Sequence, residues 1–116
     1  MRINQVFSNL VNNAYKYAQD NNNMTWSFSI DPAEENLVVY VRDYGKGIRS
    51  KHLGHIFDKF YRADYADNTN KQIEGRGLGL TLCKEMINAH QGEIFAESVY
   101  GEGSKFTFII PLYKED

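Results

Sequence analysis

The sequence predicts an α/β two-layer sandwich, in which a mixed, mostly antiparallel sheet is covered on one face by helices. Three observations predict it. Apolar residues recur at helical spacing through the first 18 residues, two pairs of strand-like segments follow, and a second long helical stripe separates the pairs. The chain has 116 residues, enough for one domain with a sizeable core and too few for two.

In the first helix Ile3, Val6, Phe7, Leu10, Ala14 and Tyr17 share one side, and the polar run from Asp20 to Asn23 ends it. Residues 24–31 and 36–43 read as two strands joined by a turn through Pro32 and Ala33. The glycine-punctuated stretch DYGKGI follows, then a short helix around residues 50–57. Residues 61–75 are polar and poor in aliphatics, close to the length at which an irregular loop serves a function. From Leu78 a helix carries Leu78, Leu82, Cys83, Met86, Ala89 and His90 on one face and closes at Gly92. EIFAESV and SKFTFIIPL then form a hairpin across YGEG.

A net charge of -2 with scattered Lys and Arg excludes the basic stripe that duplex nucleic acid requires. Cys83 is the only cysteine, so no internal disulfide forms and a reducing, cytoplasmic setting is expected. No apolar run is long enough to span a bilayer, and no signal-peptide pattern opens the sequence; a membrane anchor in a longer parent stays compatible with this.

Three segments carry candidate chemistry. Asn9, Asn13, Lys16 and Asp20 form a second line on the first helix. Such a line is either a solvated face or a set of fixed amide oxygens, and asparagine serves poorly on a plain helical face. An amide oxygen is a suitable hard ligand for Mg²⁺, and Lys16 one turn on could meet a phosphate. Asp43, with Gly45 and Gly47 behind it, is a plain turn or a strand-end carboxylate that a flat ligand can approach closely. Gly75, Arg76, Gly77, Leu78 and Gly79 run into a helix start, where exposed N–H groups and the helix dipole attract anions. Neither the Walker nor the dinucleotide-binding glycine pattern is present.

The order of these segments resembles the ATP-binding domain of the histidine kinase, gyrase, chaperone and mismatch-repair ATPase superfamily, with sensor histidine kinases most similar. NLVNNAYKY looks like the N box, DYGKGI the first glycine box, IFDKFYR the F box, GRGLGL the second glycine box and YGEGSKFTFIIP the closing hairpin. The resemblance implies a Bergerat-type fold that binds ATP with Mg²⁺ and passes the γ-phosphoryl group to a histidine. That histidine would sit on a dimerising helical domain of the parent, with a response regulator downstream and this fragment itself monomeric. It implies Asn13 on Mg²⁺, Asn9 supporting the metal and phosphates, Lys16 on phosphate and Tyr17 against the nucleotide. Asp43 would bond the adenine amine, and Gly45, Gly47 and Ile48 would shape the base pocket. Arg62 would reach phosphate as residues 61–75 close as a lid, and Gly75, Gly77 and Gly79 would let the chain wrap the triphosphate. Phe57 and Phe60 would pack the base of that lid.

Two departures from the pattern stand out. Asn9 occupies the place where the gyrase branch has a water-activating glutamate, and the family's strand or two before the first helix is expected to be missing. An anti-sigma-type serine kinase and a nucleotide-binding module without catalysis are the rival readings. Bland roles are expected elsewhere. His52 and His55 read as surface residues, His90 and Cys83 as packed core, Trp26, Phe106 and Phe108 as sheet core, and Asp64, Asp67 and Asn70 as solvated.

Overall fold

The computed structural model describes residues 3–16, 23–33, 35–58 and 79–112. Helix α1 (Ile3–Lys16) leads into strands β1 (Met24–Ile30) and β2 (Asn36–Asp43). A one-turn helix α2 (Ser50–Leu53), helix α3 (Gly79–Ala89) and strands β3 (Glu93–Val99) and β4 (Gly103–Pro111) complete the described elements. The four strands form one sheet in the order β1-β2-β4-β3, with every neighbouring pair antiparallel.

Strand register sorts the helix-facing side chains into four rows. Three rows are apolar: Ile30, Leu37 and Ile110; Phe28, Val39, Phe108 and Ile94; Trp26, Val41, Phe106 and Ala96. The fourth, at one end, reads Met24, Asp43, Ser104 and Ser98. Val6, Leu10 and Ala14 of α1 and Cys83 and Ile87 of α3 close over the apolar rows, and these residues with Val39, Val41, Phe106 and Phe108 make up most of the core. Burying a Val, Leu, Ile or Phe side chain stabilises by about 1.5–3 kcal/mol, before the entropy of ordering it is charged against it.

Local chemistry explains the joints. Asp31 organises the β1–β2 turn, its carboxylate accepting from the backbone N–H groups of Glu35 and Asn36 and from the Asn36 amide. Helix α3 ends in a Schellman motif. The N–H of Gln91 reaches the Asn88 carbonyl and the N–H of Gly92 reaches the Ile87 carbonyl. The left-handed residue is Gln91, at φ 62°, and not the expected Gly92.

Several side chains depart from what their sequence pattern predicts. Trp26 faces the helices but is 58% exposed, because β1 is the sheet's edge and α1 covers it only as far as the Phe7 ring, 5.8 Å away. His90 is exposed rather than packed, since α3 stops at Ala89 and the chain turns away. Leu82 and Ala89 are exposed too, and the buried side of α3 runs through Cys83 and Ile87, flanked by the half-buried Leu80 and Met86. His52 is not a surface residue: it is 3% exposed on the inward side of α2, which packs against β3, whereas His55 is exposed and pairs with Asp58. Cys83, Phe106 and Phe108 are buried as expected.

Candidate functional site

The polar row of the sheet is where the candidate chemistry gathers. Asp43 closes β2 and is 3% exposed, so its carboxylate must be satisfied by protein groups. Its Oδ1 accepts from the Gly45 N–H at 3.0 Å, and the Ser104 backbone N–H also donates to the carboxylate. Burial pushes the Asp43 carboxyl above its ordinary range, and the two N–H groups pull it part of the way back.

The turn after Asp43 is held from one side by the β3–β4 hairpin. The Gly101 N–H donates to the Lys46 carbonyl at 2.6 Å, and the Ile48 N–H donates to Ser98 Oγ at 2.7 Å. Gly47 sits at φ 76°, and a Cβ there would stand 2.5 Å from the Val99 carbonyl oxygen. A side chain at this position would be both strained and overlapped, so glycine is what lets turn and hairpin touch. Arg49 lies 4.4 Å over the Tyr100 ring and donates to its hydroxyl at 3.3 Å, closing the far end of the clasp.

Two helices pack on the same face of the sheet. The chain leaves α1 at Lys16 and re-enters the sheet at Met24, directly across from Asp43. Helix α3 ends away from Asp43, because its C-terminal turn leads into Glu93 at the Ile109 end of the sheet. Its N-terminus, Gly79, therefore points toward the Asp43 end, with the positive pole of the helix dipole. The two helices touch at Cys83, whose thiol donates to the Val6 carbonyl at 3.9 Å and is hydrogen-bonded by the Asn9 side chain. Burial raises the Cys83 thiol, and the Asn9 bond offsets a part of that rise.

Of the residues singled out from sequence, Asn9 and Asn13 lie on α1, Asp43, Gly45, Gly47 and Ile48 on the end of β2 and the turn after it, and Gly79 at the start of α3. Asn9 and Asn13 are half-buried rather than solvated, while Gly45 and Gly47 are buried. The donor set suits Mg²⁺ in kind, since an amide oxygen on a packed helix is a hard ligand held in place. Arg62, Tyr17, Gly75, Arg76, Gly77, Leu78, the 61–75 segment and the Lys16 side chain lie outside the described residues. Phe57 packs edge-on against Phe106, with centroids 6.3 Å apart, and the Phe57 carbonyl accepts from the Thr81 hydroxyl, which ties the turns after α2 to the start of α3. Two site residues escaped the sequence reading: Ser104, whose N–H serves Asp43, and Ser98. Their only signal is the alternation of β3 and β4, which yields the polar row once register is known.

The family described as histidine kinase-, DNA gyrase B-, and HSP90-like ATPase matches residues 1–114. The sensor histidine kinase WalK of Bacillus subtilis (strain 168) is 42% identical over 115 residues, which cover 99% of this chain and 18% of WalK. The chain therefore spans about a fifth of the length of the curated relatives it matches. Among solved structures, the catalytic domain of the histidine kinase ThkA superimposes with a TM-score of 0.70 at 30% identity, covering 95% of this chain and 67% of that one. Full-length ShkA, solved in complex with AMPPNP, gives a TM-score of 0.79 at 24% identity, over 95% of this chain and 21% of ShkA. With its antiparallel sheet, its Bergerat-type layering and these relatives, the chain belongs to the histidine kinase-, DNA gyrase B- and HSP90-like ATPase family, as an ATP-binding domain of the sensor histidine kinase kind.

Proposed function

We propose that this domain binds Mg²⁺-ATP at the Asp43 end of the sheet and transfers the γ-phosphoryl group to a histidine on a separate dimerising helical domain of its parent protein. A response regulator would take the group onward, and the parent would present this domain in the cytoplasm. The buried Asp43 carboxylate at the end of β2, with the glycine turn that the β3–β4 hairpin holds beside it, carries the reading. In it the Asp43 carboxylate accepts from the adenine amine, while Gly45, Gly47 and Ile48 let the base lie close to the backbone. The N–H groups at Gly79, with Gly75, Arg76, Gly77 and Leu78 before it, would face the phosphates, joined by Lys16 and Arg62.

Asn13 would hold Mg²⁺, with Asn9 behind it, and the ion would offset charge on the phosphate oxygens. Phosphoryl transfer of this type rests mainly on positioning and charge. The choice of acceptor follows from an α1 residue. Asn9 is an amide that cannot take a proton from water, so hydrolysis has no general base at that position and a histidine supplied by another domain competes well.

The test is calorimetric titration with a non-hydrolysable ATP analogue, with and without Mg²⁺, followed by transfer from labelled ATP to the parent's helical domain. The expected result is Mg²⁺-dependent binding, weakened about 5- to 150-fold by Asp43→Asn, and an acid-labile phosphate on the helical domain. Label appearing instead on a serine of a separate protein would replace the acceptor in this proposal.

A further inference from the structure

We propose that Ser98 is a positioning residue that sets the turn after Asp43 in its base-receiving shape. The inference rests on the reading that Asp43 and this turn receive adenine. Ser98 Oγ stands 2.7 Å from the Ile48 nitrogen, 2.7 Å from the Gly103 carbonyl oxygen and 3.0 Å from Ser104 Oγ. A hydroxyl has one hydrogen and two acceptor lone pairs. Gly103 offers only an acceptor, so the Ser98 hydrogen goes there. Ile48 N–H and the Ser104 hydroxyl must then both donate to Ser98, and its bonding capacity is full.

These bonds close a ring. From Asp43 the chain runs through Gly45 to Ile48, crosses to Ser98, passes to Ser104 and returns to the Asp43 carboxylate through the Ser104 backbone N–H. Asp43, Ser104 and Ser98 are neighbours in a single row across three strands, so the ring is anchored on the sheet and not on a loop. Gly47 is packed against the same serine, a Cβ there lying 3.1 Å from Ser98 Oγ. Removing the hydroxyl leaves the Ile48 N–H and the Gly103 carbonyl short of a partner and lets the turn shift relative to the carboxylate. The charge that would read the base stays, but its geometry against the turn is lost.

A change that merely loosened the domain would weaken all nucleotides alike, so the decisive readout is selectivity. Mg²⁺-loaded, non-hydrolysable ATP and GTP analogues are titrated into wild type, Ser98→Ala, Ser98→Thr and Asp43→Asn, each confirmed folded by circular dichroism. Ser98→Ala should weaken the ATP analogue by about 5- to 50-fold, leave the GTP analogue nearly unchanged and so collapse the ratio, while Ser98→Thr restores it. An unchanged ratio in folded Ser98→Ala, alongside a reduced ratio in Asp43→Asn, overturns the role of Ser98 alone. An unchanged ratio in Asp43→Asn overturns the base-pocket reading and this inference with it. Should Ser98→Ala fail to fold, Ser98→Cys, which fills the same space with a weaker acceptor, decides by the same ratio.

Discussion

Replacing Gly47 by alanine loads two costs onto one position, and the structure supplies a partner substitution that separates them. Gly47 has φ 76°, where an L-residue costs about 1–2 kcal/mol, and its new Cβ would stand 2.5 Å from the Val99 carbonyl oxygen. Backbone atoms cannot swing aside as a side chain can, so this overlap adds about 1–3 kcal/mol of the kind found in overpacked cores. Gly101 has φ 93° and nothing within 4 Å of a built Cβ, so Gly101→Ala carries the conformational cost alone. The gain from a stiffer unfolded chain is common to both and cancels in the comparison. Gly47→Ala should therefore be less stable than Gly101→Ala by about 1–3 kcal/mol, a large share of a typical total of about 5–15 kcal/mol. Urea unfolding followed by circular dichroism reads this as midpoints separated by on the order of 1 M. Affinity for an ATP analogue should fall further in Gly47→Ala, since the hairpin can no longer seat against the turn. Equal midpoints for the two variants would refute the tight contact between turn and hairpin.

Asn13→Ala removes the proposed Mg²⁺ ligand while improving helix propensity, so the melting temperature without nucleotide should hold or rise as Mg²⁺-dependent ATP binding weakens; unchanged affinity with Mg²⁺ would return Asn13 to a purely structural role. Because burial holds the Asp43 carboxyl above its ordinary range, the folded chain keeps a proton that the unfolded chain has already lost. Stability from this group is therefore lost as pH rises from the ordinary carboxylate range, about pH 4, through the raised value, and Asp43→Asn should flatten that slope in a pH series of urea midpoints. Gln91→Gly relieves a left-handed residue in a Schellman turn and should stabilise by about 0.5–1 kcal/mol, measured by thermal unfolding; a loss of stability would mean the Gln91 side chain holds more than the turn costs.

Much of the fold was legible because its signals are local. The stripe of Val6, Leu10 and Ala14 repeats with the helical turn, and the alternation of Val39, Val41 and Asp43 repeats with the pleat. Such periods name the face a residue takes but not what covers it, which is why Trp26 could be assigned to the helix face and still be exposed at an edge. His52 lies on a helix of one turn, too short to display any period, and His90 lies just past a helix end that the apolar pattern overran. At the site, Asn9, Asn13 and the Asp43 turn stood out because asparagines within a helix and paired glycines after a strand are locally unusual. Ser98 did not, because its importance comes from a bond to Ile48, 50 residues away, which only the register of β3 against β4 creates.

The exposed edge position of Trp26 has a practical consequence for anyone who follows these variants optically. It is the sole tryptophan, and its indole already meets water at the rim of β1 while one side rests on Phe7. Its emission colour should therefore change little on global unfolding, and a collisional quencher such as acrylamide should reach it in the native chain. What the indole does register is whether α1, which brings Asn9 and Asn13 with it, is seated against the first strand. Fluorescence of this domain is a gauge of one helix's docking, and melts read by emission alone would time that event rather than loss of the fold.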